Sequence, residues 1–234
     1  FVLADHGEML GERGTWFKFL PFEWSVRVPL IASGPDLVAG KREQHYASLV
    51  DLLPTFVDIA TEGKKYEFSD KIDGKSLLKM MKGEEDNCPN EVMLEFTGEG
   101  VYAPVLIFIR DGIKYIYCRS DPPMMFDLNI DPHEKNNVAE HLEYSSLALE
   151  MKLEIEKRWQ YKELEKDILK SQKRRLFVQN TLTKGKWTGW DHQPFVDATS
   201  SYVRGVTDPN TTATKARKRY PFVDTIEPHN PRKK

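Results

Sequence analysis

Cysteine is scarce in this chain: 234 residues carry only Cys88 and Cys118. Two cysteines so far apart build neither a disulfide framework nor a metal knuckle, and such usage favours a reducing, cytoplasmic setting. Net charge is equally slight, with 34 Lys and Arg against 36 Asp and Glu, or −2 at neutral pH. No overall field therefore gathers nucleic acid or an anionic membrane. Long apolar runs are missing too, and none approaches a membrane span. The chain opens on Phe1 inside an apolar run, with no solvating segment ahead of it. A lone strand of that kind exposes its edges unless other strands cover it, so the chain is expected to be the C-terminal part of a longer protein.

What is present begins at once. Phe1-Val-Leu-Ala4 reads as a short buried strand that stops at Asp5-His6-Gly7 and continues as Glu-Met-Leu-Gly11-Glu-Arg-Gly14. A strand end opening into a glycine-rich loop is where α/β enzymes keep their chemistry. Aspartate offers a hard oxygen and histidine a neutral nitrogen, so Asp5 and His6 can reach one divalent cation if the turn lets them converge. The same tripeptide also makes an ordinary turn with His6 on backbone, and two donors fall short of the roughly six that an oxygen-rich site needs. Lys18 follows, isolated in the aromatic run Thr15–Trp24. Such an ammonium is either an anion contact strengthened by partial desolvation or a stem laid over apolar surface. Val26–Ser33 reads as a second strand, with Pro29 implying an edge position or a late start to its ladder.

Residues 48–60 have helical periodicity, with Leu49, Leu52, Leu53, Phe56, Val57 and Ala60 on the apolar face and Asp51 and Asp58 off it, solvated or capping. Residues 61–90 are polar and rich in turns, and a change of subdomain is expected there. Strands are then predicted at Glu91–Phe96, Val105–Arg110, Lys114–Cys118 and Met125–Leu128, the middle two joined by Asp111-Gly112, a hairpin signal. Glu95 and Glu99 flank a glycine turn and can either face a small cation or lie exposed in a loop. Residues 145–182 read as one long helix with a stripe of Leu147, Leu149, Leu153, Ile155, Trp159, Leu164 and Ile168. The last fifty or so residues, with Trp187 and Trp190, lack periodicity and suggest a tail ordered on another surface.

Asp5-His6-Gly-Glu-Met-Leu-Gly-Glu-Arg-Gly14, Trp16-Phe-Lys18 and Phe22–Leu30 together resemble the sulfatase family of the alkaline phosphatase superfamily, choline sulfatases above all, with the phosphonate monoester hydrolases nearby. The resemblance continues through Val50–Pro54, Glu99–Pro104, Ile109–Tyr115 and Phe126–Glu134, and in the tail through Trp190–Phe195 and Tyr202–Arg204. It implies an α/β fold. Residues 1–62 would end an alkaline-phosphatase-like parallel-sheet domain. Residues 63–182 would form a small subdomain, an antiparallel sheet of about four strands packed by a long helix. Residues 183–234 would be an extended tail of the choline sulfatase type.

The resemblance further implies Asp5 and His6 as ligands of a divalent cation, usually calcium, with manganese or magnesium as alternatives. Lys18 and His6 become the catalytic candidates, with Lys18 on the sulfate, and Glu95, Glu99 and Asp208 become the carboxylates aimed at a quaternary ammonium. The substrate would be a small sulfate ester, choline O-sulfate first. No nucleic acid or membrane partner is expected, and the tail would support a homo-oligomer. One element departs from the pattern. Sulfatases make a formylglycine from Cys/Ser-x-Pro/Ala-x-Arg, and neither Asp86-Asn-Cys88-Pro nor Tyr117-Cys118-Arg119-Ser matches it. The nucleophile is therefore expected upstream, and this chain alone is expected to be inactive. The alternatives are a sibling enzyme acting on another sulfate, phosphonate or phosphate monoester, and an inactive assembly partner.

Overall fold

The structure, a computed structural model, describes residues 1–84, 88–98 and 101–185. Along the chain run β1 (Val2–Leu3), α1 (Glu23–Val26), β2 (Leu30–Ile31), α2 (Leu52–Ala60) and α3 (Leu78–Met81). They are followed by β3 (Glu91–Phe96), β4 (Val105–Arg110), β5 (Ile113–Cys118), β6 (Met124–Asp127), α4 (Ser145–Arg158) and α5 (Tyr161–Leu182). The chain divides into two compact units, residues 1–168 and 169–234. Among the described residues no helix is long and apolar enough to cross a membrane.

The first unit is built on a four-stranded antiparallel sheet in the order β3-β4-β5-β6, as the alternating sequence predicts. Asp111 and Gly112 take φ of 49° and 84°, the left-handed pair that a two-residue hairpin requires. A Cβ on Gly112 would come within 2.3 Å of the Asn129 side-chain amide, so glycine is required there for space as well. Strand alternation then gives the sheet two different faces. Ile107 and Ile109 of β4, Ile116 and Cys118 of β5 and Phe126 of β6 pack against Met9 and Phe22 of the opening segment. Leu106, Phe108, Tyr115 and Met125 look the other way, onto Met151 and Ile155 of α4.

Several expectations are corrected. The long helix over 145–182 is broken at Trp159, which is extended (φ −113°, ψ 115°) and donates its indole N–H to Glu95 at 2.7 Å. Leu149 and Leu153, expected on the buried stripe, are exposed, and Met151 and Ile155 are the residues fully buried. The second strand shrinks to β2, because residues 23–26 close a helical turn and Pro29 has no N–H for a ladder. The opening strand is exposed, with Val2 63 % accessible. Among the described residues it pairs with β2, over two residues and antiparallel.

In α2 and the turn before it most of the expected apolar face is exposed, with Leu49, Leu53, Phe56 and Ala60 open, Leu52 and Val57 half-buried, and Pro54 and Thr55 buried. Thr55 turns inward because its hydroxyl donates to the Asp51 carbonyl at 2.6 Å and accepts the Leu77 N–H at 2.9 Å. Asp51 caps as expected, accepting the N–H groups of Ser48 and Lys75, each at 2.8 Å.

Candidate active site

The loop after β1 is anchored at three places. Met9 is fully buried in the core below the sheet. The Gly7 N–H donates to the Ser25 carbonyl of α1 at 2.8 Å. A Cβ on residue 7 would lie 2.1 Å from the Trp24 carbonyl oxygen, so only glycine permits this approach. Leu10, Arg13 and Phe19 all take positive φ, at 49°, 54° and 78°. Left-handed backbone is costly for such side chains, and here it persists where the loop is tied down on both sides.

The turn brings three functional groups together. His6 Nδ1 lies 2.8 Å from the Gly7 carbonyl, and Lys18 Nζ lies 2.7 Å from His6 Nε2. A carbonyl only accepts and an ammonium only donates, so both contacts require one tautomer, with the proton on Nδ1 and the lone pair on Nε2. Asp5 Oδ2 stands 3.4 Å from the same Nε2, and Asp5 Oδ1 accepts the His6 backbone N–H at 3.0 Å. Glu8 Oε1 is farther off, 3.8 Å from Nδ1. The two sequence readings of Asp5-His6-Gly7 are therefore compatible: the histidine is tied to backbone through one nitrogen and keeps a lone pair on the other. Lys18 is half-buried, its Nζ 5.7 Å from the centroid of the Phe19 ring, which in turn packs on Phe96 with centroids 6.0 Å apart.

Asp5, His6 and Lys18 are thus brought together. Glu95 is not brought to them. It shares the helix-covered face of the sheet with Met93, opposite to Leu94 and Phe96, and is held by the Trp159 indole. Glu99 and Asp208 lie outside the described residues, as does the tail from residue 186 onward.

A carboxylate oxygen and an unprotonated imidazole nitrogen, 3.4 Å apart, form a donor pair that suits a hard or borderline divalent cation once Lys18 gives up the imidazole lone pair. They are a partial set. Among the described residues no group of three or more His, Cys, Asp or Glu side chains is arranged to hold an ion.

Beneath the loop lies a feature that the sequence reading missed. Lys114 of β5 points to the same face as Ile116 and is completely buried. Its ammonium meets Glu23 Oε1 at 3.0 Å and Glu134 Oε1 at 2.7 Å, the second contact angled as an ion pair rather than an aligned hydrogen bond. The other oxygen of Glu134 accepts the Glu23 backbone N–H at 2.7 Å. Arg13 donates to the Glu134 carbonyl and lies 3.9 Å over the Phe22 ring. Burial, and after it the Glu23 carboxylate, push the nearby Tyr46 phenol above its ordinary range. The available signal was a lysine standing in the inward register of a strand, where only a buried counter-charge makes it tolerable.

Comparison with known proteins agrees with this architecture. Residues 11–161 match the family model "N-sulphoglucosamine sulphohydrolase, C-terminal", and residues 166–220 match "Choline sulfatase enzyme C terminal". The chain is 38% identical over 223 residues to a choline-sulfatase of Rhizobium meliloti, a match covering 93% of this chain and 42% of that protein. It is 32% identical over 160 residues to human arylsulfatase K, covering 64% and 29% respectively. Among solved structures, a 2-O GAG sulfatase superposes with a TM-score of 0.59 at 26% identity, over 72% of this chain and 37% of that one. The phosphonate monoester hydrolase of Agrobacterium radiobacter shares the fold, with a TM-score of 0.56 at 24% identity over 67% and 34%. The chain spans less than half the length of each of these relatives. With the shared fold and two matching family models, the chain belongs to the sulfatase family, of which it carries the C-terminal part.

Proposed function

We propose that the intact protein hydrolyses choline O-sulfate to choline and sulfate, and that this chain supplies one side of the active site. The observation that carries the reading is the convergence of Asp5, His6 and Lys18 on one glycine turn. A divalent cation, calcium in this reading with manganese or magnesium as alternatives, would be held on this side by Asp5 and His6 and, with a formylglycine supplied from upstream, would provide Lewis-acid and nucleophilic chemistry.

What the chain's own residues do follows from their contacts. The Gly7 carbonyl holds the Nδ1 proton of His6, which keeps the Nε2 lone pair directed at the site. Lys18 presents an ammonium beside it, where it offsets charge on a sulfate oxygen or on the departing ester oxygen. A preorganised donor of that kind contributes about 10²–10³-fold in rate.

A trimethylammonium cannot donate a conventional hydrogen bond, so its recognition needs carboxylates and aromatic faces. In this reading Glu99 and Asp208 supply the carboxylates, whereas Glu95 would first have to release Trp159. Residues 1–62 complete a catalytic domain, residues 63–182 form the subdomain that supports it, and residues 183–234 form a tail that joins copies of the protein. The chain alone lacks a nucleophile motif and is expected to be inactive.

The test is turnover of choline O-sulfate and of an aryl sulfate by the intact protein, in wild type, Glu99→Gln and Asp208→Asn. Loss of a desolvated contact to the quaternary cation, about 2 kcal/mol, predicts a roughly thirtyfold decline on choline O-sulfate alone. Equal declines on both substrates would contradict a choline site. Faster turnover of an aryl sulfate or a phosphonate monoester by the wild type would move the assignment to a sibling enzyme.

A further inference from the structure

The buried ion cluster and the catalytic turn are joined by a continuous path of contacts. Glu134 binds Lys114 with one oxygen and the Glu23 N–H, in the first turn of α1, with the other. α1 presents the Ser25 carbonyl to the Gly7 N–H. Gly7 then presents its own carbonyl to His6 Nδ1. The Lys114–Glu134 pair is fully buried and the Gly7–Ser25 link is backbone to backbone, and the close approach of residue 7 to Trp24 leaves the turn no room to settle elsewhere. Lys114 comes from the sheet and Glu134 from the loop after β6, so both ends of the clamp lie outside the opening segment.

We infer that Glu134 is a positioning residue for the active site, acting together with Lys114: by fixing α1 it fixes the Gly7 carbonyl, and through it the tautomer and direction of His6. The inference rests on the reading of His6 as a site residue. Histidine is commonly oriented in this way, with the nitrogen that does not bind the ligand donating to a carbonyl. The usual arrangement ends at that carbonyl. Here the carbonyl is itself located by a carboxylate more than a hundred residues away in sequence.

Two substitutions separate positioning from general stability. Glu134→Gln is nearly isosteric and leaves Lys114 paired one to one with Glu23. Its single amide oxygen can satisfy either the Glu23 N–H or Lys114, and its NH2 faces the other donor. Glu23→Gln also removes one negative charge from around Lys114 but leaves both contacts of Glu134 in place. The intact protein, labelled with 15N at histidine, is measured for the His6 ring nitrogen shifts and for kcat and KM on choline O-sulfate.

In wild type and Glu23→Gln the shifts are expected to show one tautomer, protonated at Nδ1, with kcat within about twofold of each other. In Glu134→Gln the single-tautomer signature is expected to be lost and kcat to fall roughly tenfold with little change in KM, the split expected when a transition-state interaction is misplaced. A wild-type His6 signature and kcat in Glu134→Gln, or equal losses in both variants, would overturn the inference. Should Glu134→Gln fail to fold, Glu134→Asp keeps the charge and shortens the reach by one methylene, and wild-type behaviour there overturns it as well. If the wild type turns over no sulfate ester, the functional reading fails by itself, and the ring shifts still decide the positioning.

Discussion

The two faces of the β3–β6 sheet bury comparable side chains and solve different problems. The face toward α4 is a plain hydrophobic contact in which Phe108, Met125, Met151 and Ile155 meet, with no buried charge among the described residues. The face toward the opening segment buries Met9, Phe22 and Ile107, and among them Lys114 with two glutamates. A hydrophobic contact is non-directional and tolerates sliding, whereas an ion pair with fixed partners sets a position. The apolar face holds a helix, and the charged face holds the loop carrying Asp5 and His6 in register.

The comparison can be broken first at Lys114. Replacing it with methionine leaves the buried Glu134 and the half-buried Glu23 without this counter-charge, and about 3–5 kcal/mol of stability is expected to be lost in denaturant unfolding of the intact protein. On the other face, Ile155→Ala should cost about 3 kcal/mol through transfer and cavity terms, leaving the His6 ring shifts unchanged. A His6 shift caused by Ile155→Ala would show that the two faces are not separate. Trp159→Phe removes the indole donor to Glu95 and is expected to cost about 1 kcal/mol, read from the shift of the thermal midpoint.

The smallest effect is acid-dependent and belongs to neither face. Lys41, bonded to Glu43 at 2.8 Å, holds that carboxyl at about 2 against an ordinary 4.5. A lowered folded-state value means that the contribution is present above pH 4.5 and is lost as pH falls toward 2. The pair is more than one-third exposed, so after solvent screening it amounts to under about 1 kcal/mol. Comparing acid unfolding of wild type with Glu43→Gln measures it.

The sheet was legible because alternation and the Asp111-Gly112 turn both follow from backbone geometry. The break at Trp159 was not, since no proline or glycine marks it and its cause is a side-chain bond to another strand. Periodicity located an apolar face on α2 without telling which face the rest of the unit covers, and the buried residue proved to be a threonine satisfying two backbone groups. Asp5 and His6 could be read because they are adjacent, and Lys18 because the family resemblance singled it out. Lys114 and Glu134 lie within the segments that resemble the family, yet their pairing depends on register across the sheet and on a loop residue at φ 54°, which no local pattern encodes.

The central claim is that the turn carrying Asp5, His6 and Lys18 is one side of a sulfatase active site. Its most direct test is kcat for choline O-sulfate in the intact protein with Lys18→Met, alongside the wild type. The account predicts a fall of about 10²–10³-fold at unchanged thermal stability. Turnover by Lys18→Met within about twofold of wild type would contradict it, because the ammonium beside His6 would then have no part in the chemistry.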